Sequence, residues 1–256
     1  MIDSHSHLEL CEPAPVELVA AARESGVRKI LTVGLGLDSN RGAIALAREH
    51  DEVFACVGRH PNSAGGFGDR DEEELARLAT SDEVVAVGET GLDLYREGAP
   101  IEDQRRAFAG QIRVAAAAGK PLVIHLRDRE GSEDAVGEAF ATLERGAEGL
   151  DVILHCFSAA PRWAERAAEL GWYCSFAGNL TYPKAEGIRG AAEVVPEDRV
   201  LVETDSPYLA PQPVRGRPNQ PAYVVATAER LAEVRGLPYA ELERTVEANG
   251  ARVFGW

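Results

Sequence analysis

The chain has 256 residues, a formal net charge of −15 and 45% hydrophobic residues, a composition that excludes disordered and fibrous proteins. The negative charge argues against broad electrostatic binding of nucleic acid, although bound divalent cations could reverse the field within a local site. The length admits one large α/β domain or two small ones, and it suffices to bury a core without disulfides.

The cysteines and the hydropathy pattern predict a cytoplasmic protein. The four cysteines show no C-x-x-C spacing, and Cys56 and Cys156 lie within apolar runs, which predicts buried thiols in a reducing compartment. We find no basic-plus-apolar leader at the N-terminus and no apolar run near the roughly 18 residues of a membrane span. We therefore expect a soluble protein without a membrane partner.

Short apolar runs alternate with helical patterns along the whole chain. The predicted strands begin at Met1 and Ile2 and continue at residues 29–33, 53–57, 83–88, 121–124, 152–154, 172–176 and 199–202. The predicted helices lie at residues 17–25, 40–50, 71–79, 102–118, 132–146, 161–170, 221–234 and 239–253, with a less regular helical stretch before the last strand.

These runs are nearly continuous in apolar residues, as parallel strands covered on both faces require. Eight β/α units in 256 residues predict a single domain, residues 1–256, folded as a (β/α)8 TIM barrel. An open, doubly wound sheet is the competing architecture. In the barrel the active site would lie at the C-terminal ends of the strands.

The segment 3–7 (DSHSH) places two histidines two residues apart, directly after the first apolar residues. In a strand, residues i and i+2 point to the same face, so the imidazoles of His5 and His7 project side by side. Such a pair alone is also compatible with two solvated histidines. Because His125 and His155 each end another β-like run, their common position favours a metal centre built from strand ends.

Two carboxylates join these histidines at the predicted mouth of the barrel. The predicted metal ligands are His5, His7, Glu89, His125, His155 and Asp205. Taken singly, each carboxylate is more typical of a solvated side chain than of a ligand. Six ligands exceed the needs of one tetrahedral ion and suit two divalent cations that share a bridging carboxylate, most naturally Glu89. Such a pair of ions activates a water and stabilises a displacement at phosphorus.

Other side chains near the same strand ends are candidates for contacting substrate or for catalysis. Arg127 lies two residues after His125 and could bind a phosphate as a fork, while His60 could contact a phosphate or a metal. Asp205 is also the predicted acceptor of the water proton. Glu203 is the second catalytic candidate; it could instead orient a ligand histidine or form a buried ion pair.

Six motifs occur in a fixed order along the chain: DSHSHL at 3–8, GRHP at 58–61, GETGLD at 88–93, HLRD at 125–128, HCFS at 155–158 and ETDSPY at 203–208. Together they resemble the TatD family of metal-dependent deoxyribonucleases, within the amidohydrolase-like TIM barrels. The segment 215–223 resembles a further family segment. The resemblance covers nearly the whole chain.

The resemblance implies a two-metal hydrolase that cleaves phosphodiester bonds of DNA, typically from the 3′ end. It implies that one ion is held by His5, His7, Glu89 and Asp205. It implies that the other is held by Glu89, His125 and His155. The sequence leaves the metal open among magnesium, manganese and zinc, because imidazoles suit transition ions while nuclease chemistry often uses magnesium. It also leaves the oligomeric state open.

The sequence departs from the family pattern at Glu9, Asn62, Pro218 and Gln220, none of which is a predicted ligand. The last two could change the surface that meets nucleic acid, so two alternatives to a deoxyribonuclease stay open. One is hydrolysis of another ester or amide in the same site, as in a D-aminoacyl-tRNA deacylase. The other is a non-catalytic scaffold, which the presence of all six ligand residues disfavours.

Overall fold

The structure, a computed structural model that describes residues 1–256, is built around eight parallel strands. They are β1 (Ile2–Ser6), β2 (Lys29–Val33), β3 (Val53–Val57), β4 (Val84–Asp93), β5 (Leu122–Arg127), β6 (Val152–Leu154), β7 (Tyr173–Phe176) and β8 (Val200–Val202). Their spatial order is the order of the sequence. The predicted (β/α)8 barrel is therefore confirmed, since a doubly wound sheet reverses its strand order at a switch point.

Helices follow the strands and cover the outside of the barrel. They are α1 (Pro15–Glu24), α2 (Leu37–Glu49), α3 (Asp69–Ala79), α4 (Ile101–Ala118), α5 (Asp134–Gly146), α6 (Pro161–Glu169), α7 (Glu186–Val194), α8 (Val224–Arg235) and α9 (Tyr239–Phe254). The stretch predicted to be less regular contains a short 3-10 turn and then α7. Helix α8 begins later than predicted, because residues 221–223 form a 3-10 turn. No helix has the length and hydropathy that crossing a bilayer demands.

Strands β4 and β5 run further than the sequence predicted, so Glu89 and His125 lie within strands rather than at their ends. Two glycines of β4 allow this close pairing: Gly88 and Gly91 have φ values of 143° and 138°. A Cβ at Gly91 would lie 2.1 Å from the His125 carbonyl oxygen. Only glycine fits such a left-handed backbone so close to a neighbouring strand.

The barrel closes at a seam between β1 and β8, where side chains supplement a sparse backbone ladder. The buried carboxylate of Asp3 accepts hydrogen bonds from the backbone N–H of Thr204 at 2.8 Å and from its hydroxyl at 2.6 Å. The backbone N–H of Asp205 donates to the carbonyl of His5 at 2.9 Å. Burial raises the pKa of Asp3 to about 8, against the opposing effect of Thr204. The seam thus fixes the first predicted ligand beside the last.

A hydrophobic cluster of 65 buried residues fills the barrel and the layer between strands and helices. It draws on both faces of the strands, as the neighbours Ile30 and Leu31 in β2 and Leu122 and Val123 in β5 illustrate, all with no exposed surface. This double burial explains why the strands appear in the sequence as continuous apolar runs. The polar side chains of the strands are thereby concentrated at the C-terminal mouth.

Candidate metal centre

Glu89 lies at the centre of the mouth, surrounded by imidazoles. Its Oε2 atom is 2.7 Å from Nε2 of His155 and 3.5 Å from Nδ1 of His125. The same oxygen is 3.6 Å from Nε2 of His5, and Oε1 is 3.9 Å from Nε2 of His7. The four histidines predicted as ligands, which come from three strands, therefore converge on one carboxylate.

Asp205 completes the group on the β1 side of Glu89. Its Oδ1 atom lies 3.5 Å from Nε2 of His7 and 4.0 Å from Nε2 of His5. The backbone of Asp205 has a φ of 53°, in the left-handed region that non-glycine residues rarely adopt. Such an unfavourable backbone conformation persists only where surrounding contacts hold it, and it occurs most often at functional sites.

Four groups of metal-binding side chains have their ligand atoms within 4.8 Å of one another, and two of these groups consist only of predicted ligands. One such cluster comprises His5, His7 and Asp205. The other comprises Glu89, His125 and His155. Glu89 reaches both, since its two oxygens face different histidines. All six predicted ligands are thus brought together, and the remaining two groups add Glu203 beside His5 and His155, and His60 with Asp93 beside His125.

Buried polar atoms without partners show that these residues fit a bound cation. His5 is fully buried, yet neither ring nitrogen has a hydrogen-bond partner, and Oε2 of Glu89 lacks one of acceptable geometry. Leaving such groups unpaired in a protein interior costs free energy. A divalent cation would satisfy them, and a mixed set of imidazole and carboxylate donors is typical of divalent metal sites.

The ligand histidines differ in charge state. Although burial acts to lower it, the charge of Glu89 raises the pKa of His155 well above its ordinary value, so a cation would have to displace that proton. Burial lowers the pKa of His5 well below its ordinary value, which leaves the neutral imidazole that a metal requires. Burial acts to raise the pKa of Glu89, but the charges of His155 and His60 hold it well below its usual range. The central carboxylate is therefore ionised.

Glu203 lies behind His155 rather than in the cleft. It is fully buried, and its Oε1 atom is 3.2 Å from Nδ1 of His155 and accepts the backbone N–H of Cys156 at 2.7 Å. A carboxylate bonded to the far nitrogen of a histidine fixes the ring and its tautomer. This position favours the interpretation that Glu203 orients a ligand over the interpretation that it contacts the reacting atoms.

Asp93 has the same relation to His125. Its Oδ2 atom is 3.3 Å from Nε2 of His125 and accepts the amide of Asn62 at 3.0 Å. Its Oδ1 atom accepts two backbone N–H groups of the following loop. Although burial acts to raise it, the pKa of Asp93 is lowered by these donors and by His125. Asn62, where the sequence departs from the family pattern, thus contacts the carboxylate that holds the predicted ligand His125.

His60 and Arg127 both line the cleft above the centre, a cavity of about 580 Å³. Nε2 of His60 lies 3.5 Å from Oε1 of Glu89, and burial lowers the pKa of His60 to about 4. Arg127 is the last residue of β5, and its guanidinium carbon lies 4.2 Å from the centre of the Tyr95 ring. The structure therefore places both predicted substrate contacts beside the ligands.

The prediction that Cys156 is buried is wrong. Cys56 is buried inside β3, but Cys156 is partly exposed and lines the cleft. It follows the end of β6 and has a φ of 46°, so the chain turns at this residue instead of continuing the apolar strand. In the sequence, a short apolar run followed by a predicted ligand histidine is compatible both with a strand that continues and buries Cys156 and with a turn that exposes it.

Sequence reasoning missed two supporting residues. Asp3 holds Thr204 across the seam, and its position two residues before His5 on one strand face was the available signal. Asn219 is buried and donates to the carbonyls of Thr204 at 2.8 Å and Tyr208 at 2.6 Å. No pattern in the sequence indicated that Asn219 holds the loop after β8 against the centre.

Comparison with known proteins gives a consistent result over the whole chain. A family model for TatD-related DNases matches residues 2–255. The uncharacterized metal-dependent hydrolase TatD of Mycobacterium tuberculosis is 36% identical, covering 100% of this chain and 98% of that protein. The 3′-5′ ssDNA/RNA exonuclease TatD of Cronobacter sakazakii is 33% identical over 93% of this chain and 90% of that protein.

A solved structure shows the same fold. The crystal structure of YjjV, a TatD homologue from Escherichia coli, has a TM-score of 0.91 and 27% sequence identity to this chain. The match covers 100% of this chain and 98% of the YjjV chain. At this score the two chains have the same overall fold.

Proposed function

The chain belongs to the TatD-related DNase family of metal-dependent hydrolases, and from that premise we propose that it hydrolyses phosphodiester bonds of single-stranded DNA. One observation carries the proposal: two ligand clusters meet at Glu89 in a cleft that also presents Arg127. A substrate with an anionic phosphorus centre matches both features. The name of the Cronobacter relative supports the nuclease reaction and its 3′ to 5′ direction.

The ligand residues would hold two divalent cations. His5, His7, Asp205 and Glu89 would bind one; Glu89, His125 and His155 would bind the other. When bound, such cations lower the pKa of a water and neutralise charge that develops on phosphoryl oxygens. Glu203 and Asp93 keep the rings of His155 and His125 in place through their outer nitrogens.

Asp205 is the proposed acceptor of the proton from the attacking water. Its side chain is 14% exposed, whereas Glu89 is 3% exposed and Glu203 is fully buried. Of these three carboxylates, Asp205 is thus the one best placed to meet a water in the cleft and then to release its proton to solvent. Its oxygen near His5 and His7 remains available to a cation.

His60 and Arg127 are the proposed phosphate contacts. Nδ1 of His60 accepts the backbone N–H of Asn62 at 3.0 Å, which leaves the ring proton on Nε2, facing the centre. His60 can therefore donate to a phosphoryl oxygen while it stays neutral. Arg127 forms no ion pair with any carboxylate, and its stacking on Tyr95 holds the guanidinium ready for a charge-assisted fork.

The decisive experiment compares substrates under controlled metal content. Protein depleted with a chelator is restored with magnesium, manganese or zinc and incubated with single-stranded DNA, D-aminoacyl-tRNA and a simple carboxylic ester. We expect DNA hydrolysis that depends on metal, with stepwise shortening of a 5′-labelled strand and protection by a blocked 3′ end. Cleavage of the tRNA ester alone, with DNA intact, would overturn the proposal in favour of a deacylase.

Metal content gives an independent measurement. Elemental analysis and anomalous scattering should detect up to two ions per chain, close to Glu89. A Glu89→Gln variant should lose both, because the bridging charge is removed while side-chain volume is kept. Two ions retained by this variant would contradict the bridging role, whatever the substrate.

A further inference from the structure

A group of cations around the barrel mouth has no acid partner. Arginines on the outer helices pair with glutamates of neighbouring elements, as Arg48 does with Glu83. Six cations of the loops after the strands form no such pair. They are Arg96, Arg127, Arg129, Lys184, Arg215 and Arg217. Unpaired cations also occur elsewhere, as at Arg28 and Arg145, so it is the grouping of six of them around one cleft that would attract an anion in a chain with a net charge of −15.

A second arginine–tyrosine stack lies on the opposite side of the cleft from Tyr95. The guanidinium carbon of Arg215, in the loop after β8, lies 4.2 Å from the centre of the Tyr182 ring. The Tyr182 hydroxyl donates to the carbonyl of Ala210 at 3.1 Å, which anchors the ring. Arg215 itself is exposed, so the outer face of its guanidinium plane is open to a ligand.

The stack borders a cavity of about 570 Å³ that continues from the metal cleft, since Ser158 and Asn179 line both. Lys184 and Arg215 line this cavity and no carboxylate does. A cavity of this size accommodates a nucleotide. Its two cations would favour the phosphate of such a ligand.

The cavity beyond Arg127, on the other side of the cleft, has a different charge. Its volume is about 520 Å³, and its lining includes Arg127 and Arg129 together with three carboxylates, Asp128, Glu130 and Glu133. Because Glu133 also pairs with Arg162, the charges of this lining largely cancel, and a continuing polyanion meets little net attraction there, whereas the two cations beside Tyr182 attract it. The two sides of the metal centre are therefore electrostatically unequal.

We propose that Tyr182, Lys184 and Arg215 form a binding subsite, here called the Tyr182 subsite, for a nucleotide of the substrate strand beyond the scissile phosphate. A base stacks on the open face of Arg215, backed by the Tyr182 ring, and Lys184 contacts a backbone phosphate. The strand leaves the metal centre on this side. Because a duplex keeps its bases paired and stacked inside, the subsite selects single-stranded substrate. The proposal rests on the proposed nuclease function.

The first test measures binding without catalysis. Protein kept free of metal by EDTA is titrated into a fluorescein-labelled octadeoxynucleotide, and anisotropy gives the Kd. Arg215→Ala should weaken binding about tenfold, as expected for loss of one stacking contact. Lys184→Gln should reduce the slope of log K against log salt by about 0.7, as expected for one phosphate contact on a single strand.

Matched variants separate the stack from general charge. Arg28 is exposed, forms no ion pair with a carboxylate and precedes β2 at the opposite end of the barrel, so Arg28→Ala is the control for charge and should bind as wild type. Tyr182→Phe keeps the ring and should retain affinity, whereas Tyr182→Leu should weaken binding as Arg215→Ala does. Equal affinity of wild type and Arg215→Ala, or no binding by wild type, would overturn the subsite.

A length series separates this proposal from the proposed function. The ratio of kcat/KM for an octanucleotide to that for a dinucleotide should exceed 1 in wild type and fall about tenfold in Arg215→Ala. If wild type hydrolyses DNA but this ratio is the same in Arg215→Ala, the subsite is wrong and the nuclease function stands. If wild type hydrolyses no DNA, the function fails, and the titration without metal alone decides whether the Tyr182 subsite exists.

Discussion

The outer helical surface and the barrel mouth use charge in opposite ways. On the outside, arginines and carboxylates of adjacent elements neutralise each other, as Arg113 of α4 does with Glu72 of α3 at 2.6 Å. At the mouth, Glu89 and Asp205 face His5, whose ring nitrogens have no hydrogen-bond partner, and Arg127 has no acid partner. The same residue types are therefore satisfied in one region and left incomplete in the other.

This difference distinguishes charges that serve the fold from charges kept for a ligand. Exposed ion pairs contribute about 0–1 kcal/mol each, so the outer pairs matter mainly for solubility. Unpaired polar atoms in a buried site cost about 1–3 kcal/mol each, a cost that only a bound ligand offsets. The comparison predicts that substitutions at the mouth will change function strongly and that substitutions on the helices will change little.

The largest expected effect belongs to Asp205→Asn. The substitution keeps the size of the side chain but removes its charge and basicity, so hydrolysis should fall by about 10²- to 10⁴-fold even with excess metal. The thermal midpoint should change little, because the side chain lies at the mouth and not in the packed core. Hydrolysis rates and thermal melts check both parts. Near-normal hydrolysis by a folded variant would show that Asp205 is not the proton acceptor and would make His60 or Glu203 the next candidate.

Arg127→Ala should come next. Loss of a charge-assisted phosphate contact should lower kcat/KM by an amount that corresponds to about 1.5–3 kcal/mol of transition-state stabilisation, with metal content unchanged. Steady-state kinetics and elemental analysis of the same preparation check this. A loss of metal would instead show that Arg127 holds the metal ligands in place. Arg127 would then no longer count among the charges that are kept for the substrate.

Glu203→Gln should weaken metal binding by about 10- to 100-fold, as expected when the carboxylate that orients a ligand histidine is neutralised. The amide oxygen can still accept the N–H of Cys156, so the loop conformation is kept while the negative charge that faces His155 is removed. Competition with a chromophoric chelator measures the affinity. Unchanged affinity combined with lost hydrolysis would restore the catalytic interpretation of Glu203.

The smallest effect is expected on the outer surface. Arg113→Ala removes the partner of Glu72, and the free energy of unfolding should change by less than about 1 kcal/mol. Urea denaturation monitored by fluorescence measures the change, and hydrolysis should equal that of wild type. A loss of activity in this variant would contradict the division between the two regions.

The alternation of apolar runs and helices was sufficient to predict the barrel, because double burial leaves a continuous hydrophobic signal in each strand. It also placed His5, His125, His155 and Asp205 at one mouth, since strand ends in a barrel share a face. Strand lengths were less predictable. The close pairing that extends β4 past Glu89 depends on contacts of Gly88 and Gly91 with β5, which one segment alone does not reveal.

Pairings between segments far apart in the sequence could not be predicted from it. Asp3 with Thr204, Asp93 with His125 and Arg215 with Tyr182 each join different elements whose side chains meet only in the folded barrel. Periodicity describes which face of its own element a residue occupies; it does not describe what the facing element presents. The side chains that converge at the mouth were therefore predicted more reliably than the residues that hold them in place.

The seam between β1 and β8 also sets an order of events during synthesis. During translation the chain emerges with its N-terminus first, so His5, His7, Glu89, His125 and His155 leave the ribosome well before Asp205. Until Thr204 meets Asp3, β1 has an open edge and one ligand cluster lacks its carboxylate. If these residues bind cations as proposed, tight uptake would be postponed to the closing step. A nascent chain stalled before β8 would carry most of the proposed ligands but not the complete set. Metal retained during purification would then identify the molecules in which β1 and β8 have paired.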